Sequence, residues 1–387
     1  MPNQTKAQSL QDAIQFDFYG EHIQIPYNSS MYVRYAEPLT EKSLQQFYRN
    51  ISTATYTPLL TTLKDYKTQL QLDDWLFYQL IRKTAEKISP KQINYHEYTL
   101  YKWYLLSQCG YDATLKTNGN KLLFYVQSND NIYNVPYYLK DGKQYVCLNY
   151  HDYGANINFE EEQFNTEALS NTTKCKSFTY KVTRLPGFHP QDYNEKDLKF
   201  VYNESNYNFK IKLNTQVKNI FANYPVVDYE SYFNIPMSNE TYASLIPLLK
   251  KNLHGLNTKN GVDYLIHFTR YAFLFQKDEE VFGQEKRFSP EQTLLYEQSD
   301  CEDRVALLFF LVKEIYNLPM IVVTFPEHVT LAVKFDKPIG KPIIYNGEKY
   351  TVCEPTPQKQ ELNMGQLMPQ LKGTDYEVVY NYKPSGK

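Results

Sequence analysis

Residues 299–315 read SDCEDRVALLFFLVKEI, a cysteine set between acidic residues where an apolar run of helical period begins. Val305, Leu308, Phe309, Val312 and Ile315 recur at three- and four-residue steps, which predicts a helix with one buried face. Asp300 is a suitable N-cap and Asp303 falls three residues on. Cys301 then sits in the first turn, near the positive end of the helix dipole, where a thiolate gains stability. Asp300, Glu302 and Asp303 act against it, since neighbouring carboxylates disfavour a second negative charge. A nucleophilic role therefore demands a histidine partner.

The residues that follow supply candidates. MIVVTF is a short buried run, Pro326 interrupts it, and VTLAVKF alternates, with His328 at its opening. In PIIYNGEKYTV, Asn346-Gly347 lies between two alternating arms, a strong hairpin signal. Glu354 closes that hairpin. On adjacent strands His328 and Glu354 could meet, the carboxylate orienting the imidazole and the imidazole facing the thiol. The competing reading is a small buried cysteine and an ordinary histidine. Cys353, next to Glu354 on a strand, points to the opposite face and reads as core.

The chain of 387 residues is long enough for two or three domains. Its 41 basic and 43 acidic residues leave a net charge of -2, so nothing in the balance points to nucleic acid or an anionic membrane. The longest strongly apolar run, 305–312, is far shorter than a membrane-spanning helix. The first ten residues lack the apolar core of a secretory signal, so the expectation is a cytoplasmic protein, or an exported one written without its signal. Five cysteines, Cys109, Cys147, Cys175, Cys301 and Cys353, contain no C-x-x-C, which suggests neither a disulfide framework nor a zinc site. His22, His96, His151, His189, His254 and His267 form no metal-ligand spacing. No phosphate-binding or dinucleotide glycine motif occurs, so no cofactor is expected.

Along the chain, IQFDFYGEHIQIPY reads as a hairpin turning at Tyr19-Gly20, and helices are expected over about 70–88 and 98–109. Strands follow in YDATL, KLLFYVQ and KQYVCLNY. SFTYKVTRL and NYNFKIKLN suggest a β-rich domain. These readings divide the chain into an N-terminal lead-in with strands (1–60), an α+β domain (61–154), a β-rich domain (155–240) and a second α+β domain (241–387). The two α+β segments share helix, strand, strand, hairpin. Gly142 matches Gly347 and Tyr145 matches Tyr350, both displaced by 347 − 142 = 205. That alignment sets His96 against Cys301, Lys121 against His328 and Asn149 against Glu354, so the first copy reads as degenerate.

The stretch containing SDCEDRVALLFFLVKEI, VVTFPEHVTLAVKF and GEKYTVCEPT resembles the transglutaminase-like cysteine enzyme superfamily. Its bacterial members show an acidic-flanked cysteine, a Y/F-P-x-H strand and a D-P-T carboxylate. The likeness covers about 261–357. It implies a papain-like core, a helix packed on an antiparallel sheet, with Cys301 as nucleophile, His328 as general base then acid, and Glu354 as orienting carboxylate. Glu354 departs from the usual aspartate by one methylene. The resemblance implies thiol-dependent acyl transfer on peptide or protein amides, with hydrolysis expected over protein crosslinking. The non-enzymatic alternative is a scaffold of this kind that binds peptide or glycan.

Overall fold

The computed structural model describes residues 13–159, 161–167, 169, 175–272, 274–275, 287–296, 298–358 and 361–384. Asn346 and Gly347 have φ of +49° and +78°, the left-handed pair that a two-residue hairpin turn requires, joining the strands Ile343–Tyr345 and Glu348–Cys353. Asp141 and Gly142 do the same at +51° and +72° between Tyr137–Lys140 and Lys143–Cys147. Each hairpin belongs to a five-stranded antiparallel sheet.

The chain divides into two compact units, Met1–Lys181 and Val182–Lys387, both α+β. In the first, the sheet order is Tyr137–Lys140, Lys143–Cys147, Lys121–Gln127, Ala113–Asn118, Asn165–Thr166. In the second it is Ile343–Tyr345, Glu348–Cys353, His328–Val333, Met320–Phe325, Glu377–Tyr382. The two orders are the same when strands are numbered along each unit. Lys121 and His328 open corresponding strands, paired with Asn118 and Phe325 across two-residue turns. A helix precedes each sheet, Tyr95–Gln108 in one and Cys301–Tyr316 in the other.

The likeness extends beyond the segments expected from sequence, because each unit also begins with a hairpin followed by helices. In the first, Ala13–Phe18 pairs with Glu21–Pro26 around the Tyr19-Gly20 turn. In the second, Tyr193–Tyr202 pairs with Ser205–Asn214, whose inward Phe209, Ile211 and Leu213 alternate with exposed Asn208, Lys210 and Lys212. The expected independent β-rich domain over 155–240 is therefore corrected. Asn165–Thr166 completes the first sheet, and the 193–214 hairpin belongs to the second unit. Residues 1–60 likewise do not stand apart from 61–154. SFTYKVTRL, residues 177–185, forms no ladder, only an isolated bridge at Phe178. The helix expected over 70–88 begins instead at Asp74 and runs to Ile88, with a separate helix, Thr57–Gln69, before it and a turn between them at Gln71, which has φ of +50°.

The Cys301–Tyr316 helix is apolar almost all round, with every residue from Asp303 to Val312 buried. It ends at Asn317 in the left-handed conformation, with Pro319 soon after. Among the described residues no helix is long and apolar enough to cross a membrane.

Candidate active site

Asp300 caps the helix, its carboxylate accepting the Asp303 amide at 3.1 Å, and Cys301 is the first helical residue. The acidic flank expected to oppose the thiolate is largely committed to structure. Asp303 is fully buried and accepts the Phe288 amide at 2.8 Å and the Tyr232 hydroxyl at 3.0 Å. Glu302 accepts from Arg287 Nε at 2.7 Å and from the Tyr229 hydroxyl at 3.0 Å. The Arg287 guanidinium lies 4.2 Å from the Tyr229 ring centroid.

His328 and Glu354 meet. Imidazole Nε2 lies 2.8 Å from carboxylate Oε2, with the two side chains 9% and 1% exposed. The second oxygen, Oε1, accepts the Thr356 amide at 2.8 Å. With Nε2 committed to the carboxylate, Nδ1 is the ring nitrogen left to exchange a proton with a thiol.

Cys301 heads the helix that packs on the His328–Val333 strand. The ladder between His328–Val333 and Glu348–Cys353 stops at Leu331↔Cys353, two residues short of Val329. The Val329 backbone amide acts to favour the Cys301 thiolate. Strand alternation gives His328 the parity of Ala332, which packs with Val323, Phe325 and Val352 in an apolar cluster.

Electrostatics at the sulfur run against ionisation. Burial pushes the Cys301 thiol well above the ordinary cysteine range, and Asp300, Glu302 and Glu354 push the same way, while the Val329 amide acts against them. Burial also raises Asp300, which Arg287 partly offsets. Burial and these carboxylates therefore favour the neutral thiol over the thiolate.

Two buried arginines hold the frame, and neither was picked out by sequence reasoning. Arg270, at the end of the Thr258–Tyr271 helix, donates from Nε and Nη2 to the main-chain oxygen of Glu354 at 2.9 and 2.6 Å. Its Nη1 donates to the Leu362 carbonyl at 2.9 Å. Arg304 Nη1 in turn donates to the Thr269 and Arg270 carbonyls at 2.7 and 2.9 Å, capping that helix. The only prior signal is an arginine inside each apolar helical run, DRVALL and HFTRYAF.

In the first unit, counting from the N-caps Asn94 and Asp300 sets Tyr95, not His96, at the place of Cys301. Tyr95 and Asn149 touch, Asn149 Nδ2 donating to the hydroxyl at 2.7 Å. Lys121, in the place of His328, is bound to Glu162 at 2.6 and 2.7 Å. The fully buried Cys353 matches its reading as core. Among the described residues no group of three or more His, Cys, Asp or Glu is arranged to hold a metal ion. Compared with known proteins, the chain matches no family model, no curated sequence and no solved structure.

Proposed function

We propose that the second unit is a cysteine-dependent acyl-transfer enzyme acting on peptide or protein amides, with a papain-like core of the transglutaminase-like kind. The observation that carries this reading is the 2.8 Å His328–Glu354 contact on the sheet against which the Cys301 helix packs. As Cys301 Sγ attacks the amide carbonyl, His328 takes the thiol proton. It then returns that proton to the leaving amine as the C–N bond breaks, leaving a thioester. Water attacks the thioester with His328 again as base, releasing the acid and restoring the thiol. Glu354 holds the ring and stabilises the imidazolium that forms between steps. A crosslinking reaction differs only in using a second amine in place of water.

A second reading, a scaffold that binds peptide or glycan without turnover, draws on the burial and three carboxylates that raise the thiol. The two separate in one experiment. The wild-type chain and Cys301→Ala are incubated with a pool of N-acetylated, C-amidated hexapeptides; released amines are counted and Cys301 adducts are sought by intact mass. Amine release and a thioester adduct in the wild type alone support the enzyme. Equal release from both chains, or none from either, removes it.

A further inference from the structure

Arg287 lies outside the helix that carries Cys301, yet it is built into the start of that helix. Its Nε donates to Glu302 Oε2 at 2.7 Å, while the Tyr229 hydroxyl donates to Oε1 at 3.0 Å. Both oxygens of the carboxylate next in sequence to the thiol are therefore engaged. The guanidinium is itself held on two sides. Nη1 donates to the Val227 carbonyl at 2.8 Å, and the group lies 4.2 Å from the Tyr229 ring centroid and 5.8 Å from that of Tyr232. With the Arg287 and Glu302 side chains 14% and 16% exposed, solvent and salt screen their attraction little.

Stability alone is a poor reason for such a pair, since taking two charges out of water offsets most of what their attraction returns. The charges around the thiol supply a better one. On its own helix stand Asp300, Glu302 and Asp303, and from the sheet comes Glu354, paired with His328. Asp300, Glu302 and Glu354 each disfavour a thiolate at Cys301. Tyr229 is close enough for a thiolate there to bear on its hydroxyl. Arg304 is near as well, but its Nη1 is spent on the Thr269 and Arg270 carbonyls. Arg287 is the cation bound to one of the opposing carboxylates, and it also offsets part of the rise that burial imposes on Asp300.

We infer that Arg287 is a positioning residue for the nucleophile: clamped between the Val227 carbonyl and the Tyr229 ring, it fixes the Glu302 carboxylate and offsets its charge beside Cys301. It touches no reacting atom. Its use in catalysis, easing the passage of the thiol proton to His328, rests on the proposed function; its effect on the thiol does not.

The test therefore reads the thiol. Rates of iodoacetamide labelling of Cys301 at pH 8, followed by peptide mass spectrometry, are compared for the full-length wild type, Arg287→Met, Glu302→Gln and the double variant. Each unit of thiol pKa changes the rate roughly tenfold. Arg287→Met, which leaves Glu302 unopposed, should slow labelling about fivefold or more, and Glu302→Gln should quicken it about threefold or more. The double variant, with both charges gone, should return to within about twofold of wild type. Labelling unchanged or faster in Arg287→Met overturns the inference. So does a loss that persists in the double variant, which is what a packing role produces. If Arg287→Met does not fold, Glu302→Gln decides: faster labelling supports the inference, and unchanged or slower labelling overturns it. Amine release from the blocked hexapeptides, measured on the same chains, keeps the two readings apart. The expected labelling pattern without amine release in the wild type upholds Arg287 and removes the enzyme, whereas amine release without the pattern does the reverse.

Discussion

Glu354 divides its carboxylate between a side chain and the main chain, Oε2 lying 2.8 Å from His328 Nε2 and Oε1 accepting the Thr356 amide at 2.8 Å. Both oxygens are fixed, so the imidazole is held in one orientation by a group that cannot itself rotate away.

The first prediction concerns the length of that side chain. Glu354→Gln retains the shape but loses the charge that stabilises imidazolium, and hydrolysis should fall by roughly one to three orders of magnitude. Glu354→Asp withdraws the carboxylate by one methylene and cannot span both partners from the same backbone position. Since Arg270 fixes that backbone through the Glu354 carbonyl, activity should fall here too. Steady-state rates on the hexapeptide pool check both; an Asp variant faster than wild type shows that the longer acid is not fitted to this site.

Arg270 gives a second prediction, because it acts on Glu354 only through the main chain. Arg270→Lys keeps the charge but not the planar fork that donates to Glu354 and Leu362 together. A shift of the carboxylate by about 1 Å should lower kcat on the order of a hundredfold with KM little changed. A variant that loses only thermal stability, with kcat per folded molecule intact, shows that Arg270 serves the fold alone.

The third prediction follows from the thiol. Burial first, then Asp300, holds Cys301 above its ordinary pKa, so its thiolate fraction should keep rising with pH through the neutral region and beyond. Iodoacetamide labelling of Cys301, read by peptide mass spectrometry, should therefore climb from pH 7 to 9 without a plateau. Asp300→Asn keeps a good N-cap but removes the nearest opposing charge. Each unit by which the thiol pKa falls raises labelling at fixed pH roughly tenfold. Labelling already on a plateau at pH 6 in the wild type indicates a standing thiolate–imidazolium pair and contradicts this account.

How much of this was legible beforehand depended on whether the signal was local. Asp300, Cys301 and the helix beyond them, the Asn346-Gly347 turn and the alternation around His328 are read from neighbours in sequence, and each stands where its pattern sets it. The His328–Glu354 contact was reachable because both residues sit at strand ends, where register leaves few partners. The unit boundary was not. The 193–214 hairpin looks the same whether it closes one domain or opens the next, and only the order of elements in both units shows which. Matching the two copies through the Gly142 and Gly347 turns erred by one residue at the helix, since an offset true for one hairpin drifts across connections of unequal length. Arg270 and Arg304 were hidden for a further reason: their partners are carbonyl groups, which every residue has.

The comparison of units leads to the last prediction, at Lys102. Eight residues after its N-cap, the first unit's helix carries Lys102; the corresponding position in the second unit is Leu308. Lys102 is buried, its amine 4.4 Å from the Tyr98 ring centroid. Burial pushes its pKa down to about 7; Asp152 and Cys147 act upward, while Arg82 and Lys91 act downward. Between pH 7 and the ordinary 10.5 the unfolded chain holds this proton and the folded chain does not, so stability contributed at this site rises with pH. The slope is at most about 1.4 kcal/mol per pH unit. Lys102→Met, of similar volume and without charge, should therefore stabilise the protein most at pH 6 to 7 and progressively less toward pH 10. Urea unfolding of both chains at pH 6.5 and pH 10 measures this. An equal difference at the two pH values shows that the buried amine is not what the second unit's leucine replaces.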